Sequence, residues 1–167
     1  MNSPSEKTPP ATQAKPAPVV RKKSPRRRSR ELALQGLYEW RISAADAGVV
    51  DAHMREQEEF PKCDKAHFEA LLHGCIRESA DLDKLLATHL DRPTKELSPI
   101  EHGTLLIGAY ELKHCIDIPY KVVINESVEL AKSFGGTDGH KYVNGVLDKA
   151  AVDLRAVEVQ AARSKPR

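Results

Sequence analysis

The sequence has no apolar run near 18 residues, which excludes a membrane-spanning helix. Nor does it open on the charged, apolar and small-residue regions of a secretory leader. Its three cysteines, Cys63, Cys75 and Cys115, are odd in number and widely spaced. That pattern excludes a disulfide framework and a zinc knuckle, and it fits the reducing cytoplasm. No stretch alternates apolar and polar residues as a half-buried strand does. Catalytic signatures are missing too: there is no Walker loop, nucleophile elbow or strand–glycine–helix unit. The seven histidines include no HExxH pair and no zinc-spaced Cys/His set. We therefore expect no enzyme, no metal and no cofactor.

What is present is a one-domain length of 167 residues, 40% of them hydrophobic, with an uneven charge. Residues 1–30 hold nine Lys or Arg against one acid, Glu6, a net of +8. The rest holds 17 bases and 23 acids, a net of −6. A basic head on an acidic body points to a polyanion such as nucleic acid, or else to a solubilising tail. Five of the eleven prolines fall within residues 1–24, where apolar anchors other than Ala are scarce. That segment is expected to be disordered.

From Pro25 onward the periodicity is helical. Ser24 caps and Pro25 opens a helix over residues 25–43, with Ala33, Leu37 and Trp40 on one face. A looser helix over 45–58 ends before Pro61, and a longer apolar face from Phe68 to Leu86 breaks near Ser79. Ser98-Pro99-Ile100-Glu101 is a capping box opening a helix, apolar on most faces, that contains Gly103 and Gly108. Pro119 opens the next helix, Gly135-Gly136 closes it, and Thr137 or Asp138 starts the last. The chain is all-α. Glu126 and Glu129 share a helix face and read as surface charge.

Two segments carry binding chemistry. Arg26-Arg27-Arg28-Ser29-Arg30 opposes the helix dipole, so helix stability does not explain it and a polyanionic partner does; a localisation signal or non-specific tail is the competing reading. Gly135 to Tyr142 joins a flexible backbone, a helix N-terminus, Lys141 and an aromatic ring, which suits a phosphate and an unpaired base, or is a plain turn.

The first helix, with Arg26 to Glu31, Gln35, Leu37-Tyr38 and Trp40, resembles that of the bacterial transcription antitermination factor NusB family. So do Gly108 to Leu112, Ile118 to Val122, Asn125-Glu126, Glu129 to Gly135 and Val143 to Asp148, in unbroken order. Tyr142 stands where Phe is more usual, and residues 44–65 match nothing diagnostic. The resemblance implies about seven helices in two subdomains, placed here at residues 25–92 and 93–158, between a head (1–24) and a disordered tail (159–167). It implies no catalysis. Members pair with the ribosomal protein NusE and bind single-stranded boxA of nascent ribosomal RNA. The pair joins the RNA polymerase antitermination complex.

Carried over residue by residue, the RNA surface is Arg26, Arg27, Arg28 and Arg30 with Asp138, Lys141, Tyr142 and Asn144. The NusE surface includes Tyr38, Ile42 and Glu101. No membrane contact is expected, a homodimer is an open alternative, and the location is the cytoplasm. Two other functions stay open. One is a protein-binding helical adaptor without RNA specificity. The other is an RNA-binding domain like those fronting certain RNA cytosine methyltransferases, though this chain has no room for a methyl-donor domain.

Overall fold

Ser24, in extended backbone, accepts a hydrogen bond from the Arg27 N–H at 3.1 Å, and Pro25 fills the first helical position. The helix so started is α1, Pro25–Ser43, which matches the expected span. The structure, a computed structural model, describes residues 22–136 and 138–165. The expectation of a disordered head falls outside the described residues as far as residue 21.

Seven further helices follow among the described residues: α2 Ala47–Arg55, α3 Lys65–Arg77, α4 Ser79–Ala87, α5 Pro99–His114, α6 Tyr120–Phe134, α7 Gly139–Leu154 and α8 Ala156–Arg163. Short 3-10 turns occupy Phe60–Lys62 and Thr94–Glu96, and no strand occurs among the described residues. Helix α4 does begin at Ser79, but the residue before it is Glu78 and no side chain caps it. The Glu78 carboxylate is instead taken up by Lys113 and His114 of α5. Ser98 caps α5 by accepting from the Glu101 N–H at 3.1 Å. This is half of the expected capping box, because the Glu101 carboxylate lies against Gly139. Residues 159–163, expected within a disordered tail, belong to α8, whose Val159 is buried.

Arg155, between α7 and α8, explains the ordered C-terminal end. Its buried guanidinium donates to the carbonyls of Leu112, Cys115 and Ile118 at 2.6, 2.9 and 3.0 Å. These include carbonyls at the end of α5 that the helix itself leaves unpaired. Glu158 of α8 holds Arg155 at 2.6 Å and accepts from the Tyr120 N–H at 2.8 Å, which caps α6.

Helix α5 is the axis of the fold: every residue from His102 to Leu112 is buried, and α1, α3, α4, α6 and α7 pack around it. Its glycines permit that approach. A Cβ at Gly103 would lie 2.7 Å from Leu34 Cδ1, and one at Gly108 would lie 2.6 Å from Leu147 Cδ1.

A second buried charge cluster sits in this core. Glu111 of α5, 1% exposed, accepts from Arg30 Nε at 2.7 Å and from a terminal guanidinium nitrogen at 2.9 Å. Burial opposes the Arg30 charge, but the Glu111 hydrogen bonds and field outweigh it and raise its pKa. His67 Nε2, buried and without a hydrogen-bond partner, lies 3.8 Å from Glu111. Burial pushes the His67 pKa below its ordinary value; Glu111 opposes this and Arg30 reinforces it.

Two predictions follow from this cluster. Replacing Arg30 by Met or Glu111 by Leu alone strands a buried partner and should cost about 3–5 kcal/mol. The double variant should cost less than the sum in denaturant unfolding, and strictly additive losses would mean the pair is not coupled. His67 is neutral in the fold, and its unfolded form takes a proton near pH ~6.5. Its contribution is therefore present above that pH and lost as pH falls towards the lowered folded pKa. The stability of the wild type relative to His67→Gln should fall on acidification below about pH 6.5; a pH-independent difference would contradict this.

Candidate nucleic-acid interface

The arginines at the start of α1 point to different neighbours. Arg30 lies inward, 4% exposed, on Glu111. Arg27 forks onto Glu126 of α6, with both hydrogen bonds at 3.1 Å. That hydrogen bonding raises the Arg27 pKa against a smaller opposing effect of burial. Arg28 pairs with Glu59 beside the Phe60–Lys62 turn. Arg26, half exposed, lies 3.7 Å from Asp64 and 3.8 Å from Asp117. The expectation that stability does not explain these arginines is thus corrected for Arg30, which belongs to the core; Arg26, Arg27 and Arg28 each have a carboxylate partner as well. Glu126, expected as plain surface charge, is the partner that holds Arg27. The distinction is energetic. Exposed ion pairs contribute roughly 0–1 kcal/mol, so a phosphate can displace them, whereas breaking the buried pair strands Glu111.

Helices α1 and α6 lie side by side. Arg27 is level with Glu126, while Leu34 and Tyr38 reach Phe134. At about 1.5 Å per residue, the loop after α6 begins roughly 12 Å along the helix from Glu126. The groove between the helices runs from Lys23 and Arg27 to Ser133, and Glu31, Glu126 and Glu129 line it. The two halves of the expected RNA surface are thus separated by a groove in which these three acids are matched by Lys23, Arg27 and Arg30.

Gly135 ends α6, and its N–H donates to Ala131 O at 2.7 Å. Its φ of −100° is ordinary; glycine is needed because a Cβ would sit 2.7 Å from that same oxygen. Thr137 lies outside the described residues. Asp138 precedes α7 without a side-chain cap, and Lys141 lies 3.6 Å from it, both well exposed. Asn144 is exposed one turn further on. Tyr142 is half-buried, its hydroxyl accepting from the Asp91 N–H at 3.4 Å. The Arg92 guanidinium covers one ring face, 4.5 Å from the centroid. The expected stacking ring is therefore already stacked. The guanidinium plane on top of it offers a base the same kind of surface.

On the same side, Tyr38 (43% exposed) and Ile42 (61%) project from α1. Tyr38 shares a shallow, almost wholly apolar cleft of about 200 Å³ with Leu34, Gln35, Ile100 and Phe134. Glu101 is half-buried beyond it at the start of α5. A larger cleft of about 420 Å³ lies between the end of α1 and the start of α5, with Trp40, Leu106, Arg41 and His102 in its wall. His102 Nε2 lies 2.5 Å from Asp83, and Arg41 meets its other ring nitrogen. Sequence reasoning missed Arg92 and this cleft. No local signal marks Arg92, which precedes Pro93 in a loop. Among the described residues no helix is long and apolar enough to cross a membrane.

Residues 27–152 match the NusB family. A transcription antitermination protein NusB from Ralstonia nicotianae is 63% identical over 146 residues, which cover 87% of this chain and 94% of that protein. One from Cupriavidus pinatubonensis is 55% identical over 158 residues, 92% and 95% of the two chains. The solved T. maritima NusB superposes with a TM-score of 0.71 at 27% identity, covering 83% of this chain and 99% of that one. A crystal structure of the antitermination factors NusB and NusE in complex with dsRNA gives 0.66 at 24% identity, over 76% and 96% of the chains. At that identity the last likeness speaks to the fold alone.

Proposed function

The chain belongs to the NusB family of transcription antitermination proteins, and from that premise we propose that it binds single-stranded boxA of nascent ribosomal RNA jointly with NusE. The pair then helps RNA polymerase resist termination, in the cytoplasm. The observation that carries this reading is the set of three arginines at the start of α1, Arg26, Arg27 and Arg28, whose carboxylate partners all keep some access to solvent. Phosphates would replace those carboxylates and fix the strand, because contacts to phosphate set register while contacts to bases read sequence. Arg30 stays with Glu111. Lys141, Asn144 and the Arg92–Tyr142 stack supply the base-facing half, with Asp138 closing the loop beside them.

The apolar cleft of Tyr38, Ile100 and Phe134, with Ile42 and Glu101 at its margins, is the proposed NusE seat. A second copy of the chain would occupy the same seat when NusE is absent. The adaptor reading draws on a different observation, the carboxylate found against each of Arg26, Arg27, Arg28 and Arg30. It predicts NusE binding without RNA binding.

Filter binding of boxA RNA across a salt series, with NusE present, separates the two. Arg27→Gln and Arg28→Gln should each flatten the dependence of log affinity on log salt by about 0.7. Glu126→Gln, which removes the competing carboxylate, should raise affinity. Slopes unchanged in both arginine variants would overturn the phosphate role, and absence of RNA binding would favour the adaptor. For the partner surface, Tyr38→Ala with Phe134→Ala should weaken NusE capture while leaving the melting temperature close to wild type. Wild-type capture would place NusE elsewhere.

A further inference from the structure

The Phe60–Lys62 turn is fixed against the first turn of α1. The Asp64 N–H donates to Pro25 O at 3.2 Å, and Ser29 Oγ donates to Asp64 O at 2.6 Å. Buried Phe60 anchors the turn edge-on against Phe68, with ring centroids 5.4 Å apart. Lys62 is thereby brought beside Arg28, and the residues preceding α1 complete a concavity of about 610 Å³. Its lining is Lys22, Lys23, Pro25, Arg28 and Lys62: four cations, one proline and no acid. Two carboxylates stand just outside. Glu59 holds Arg28 and lies 3.8 Å from Lys62, and Glu31 holds Lys23 at 3.0 Å. Four cations against two acids leave the cleft positive, whereas the groove between α1 and α6 holds three cations against three acids.

This chemistry selects a class of ligand. A small-molecule pocket is mostly apolar with a few polar groups, and Pro25 is the one apolar residue in this lining. No aromatic ring lines it, so it has no platform on which a base could stack. What remains is recognition of a phosphate chain by charge. The cleft lies on the Arg28 flank of α1, while Arg27 faces α6. A strand held by the arginines therefore enters it by crossing the first turn of α1. The sequence ahead of it adds Lys7, Lys15 and Arg21 against Glu6 at the same end of the chain.

We propose that the cleft formed by Lys22, Lys23, Arg28 and Lys62 is a second, sequence-independent seat for RNA, taking backbone phosphates of nucleotides that flank boxA. The proposal rests on the boxA reading above and adds a part of the chain that the family resemblance leaves without a role.

The test compares a minimal boxA RNA with one extended at both ends, for the full-length protein with NusE and for its triple variant Lys22→Gln, Lys23→Gln, Lys62→Gln. All three lysines are exposed, and a thermal melt serves as the check on folding. The wild type should bind the extended RNA more tightly, and that advantage should vanish on raising salt. The variant should bind the minimal RNA like wild type and lose the advantage. Its log–log salt slope on the extended RNA should fall by about 0.7 to 2, the range for one to three lost contacts. If the variant and wild type have equal affinity and slope on the extended RNA, the cleft has no such role while the boxA reading stands. If neither protein binds either RNA, the boxA reading fails and takes this proposal with it.

Discussion

A carboxylate at the centre of a helical core must keep its partner, and Glu111 keeps Arg30. The fork between them ties the second turn of α1 to the last turn of α5, the helix around which the others pack. Rotation about α1 is then no longer free. Once Arg30 points inward, the residues at 100° steps along the helix are aimed as well: Arg27 at α6 and Arg28 at the Phe60–Lys62 turn. Arg155 acts at the same C-terminal end of α5, where it gathers carbonyls that the helix leaves open. Two guanidiniums therefore hold the C-terminal end of the central helix, and the surface charges take their positions from one of them.

Much of this architecture is legible in the sequence. Ser24-Pro25 and Ser98-Pro99 mark their helix starts because capping is local chemistry. Gly103 and Gly108 mark close approach because only neighbouring side chains exclude a Cβ there. Arg30 shows where local reading goes astray. It lies three, four and seven residues before Ala33, Leu34 and Leu37, on the buried stripe, yet its charge groups it with Arg26 to Arg28. Periodicity carried the correct answer, and residue type obscured it. The partner, Glu111, is 81 residues away and leaves no local trace. The same holds for Arg155 and for Arg92 over Tyr142, both of which act across long separations. Helix α8 escaped notice because a single turn of apolar residues, anchored by Val159, is a weak periodic signal.

The resulting surface divides its electrostatics by depth. The buried pair is costly to break and holds the fold; the exposed pairs are weak and exchangeable. This arrangement keeps a strongly basic segment folded and neutralised in a free chain while leaving its guanidiniums available to a polyanion. The apolar cleft at Tyr38 and Phe134 lies further along the same α1–α6 edge, so the proposed RNA and protein seats share one scaffold. The charge-balanced groove between α1 and α6 separates them.

The central claim is that Arg30 belongs to the fold while Arg27 and Arg28 belong to the RNA. Arginine Nε–H resonances of the isotope-labelled protein, followed by NMR as boxA RNA and NusE are added, test it directly. The Arg27 and Arg28 signals should shift as phosphates replace Glu126 and Glu59, with the Arg30 signal unmoved on Glu111. A shifted Arg30 signal beside unchanged Arg27 and Arg28 signals would contradict the account.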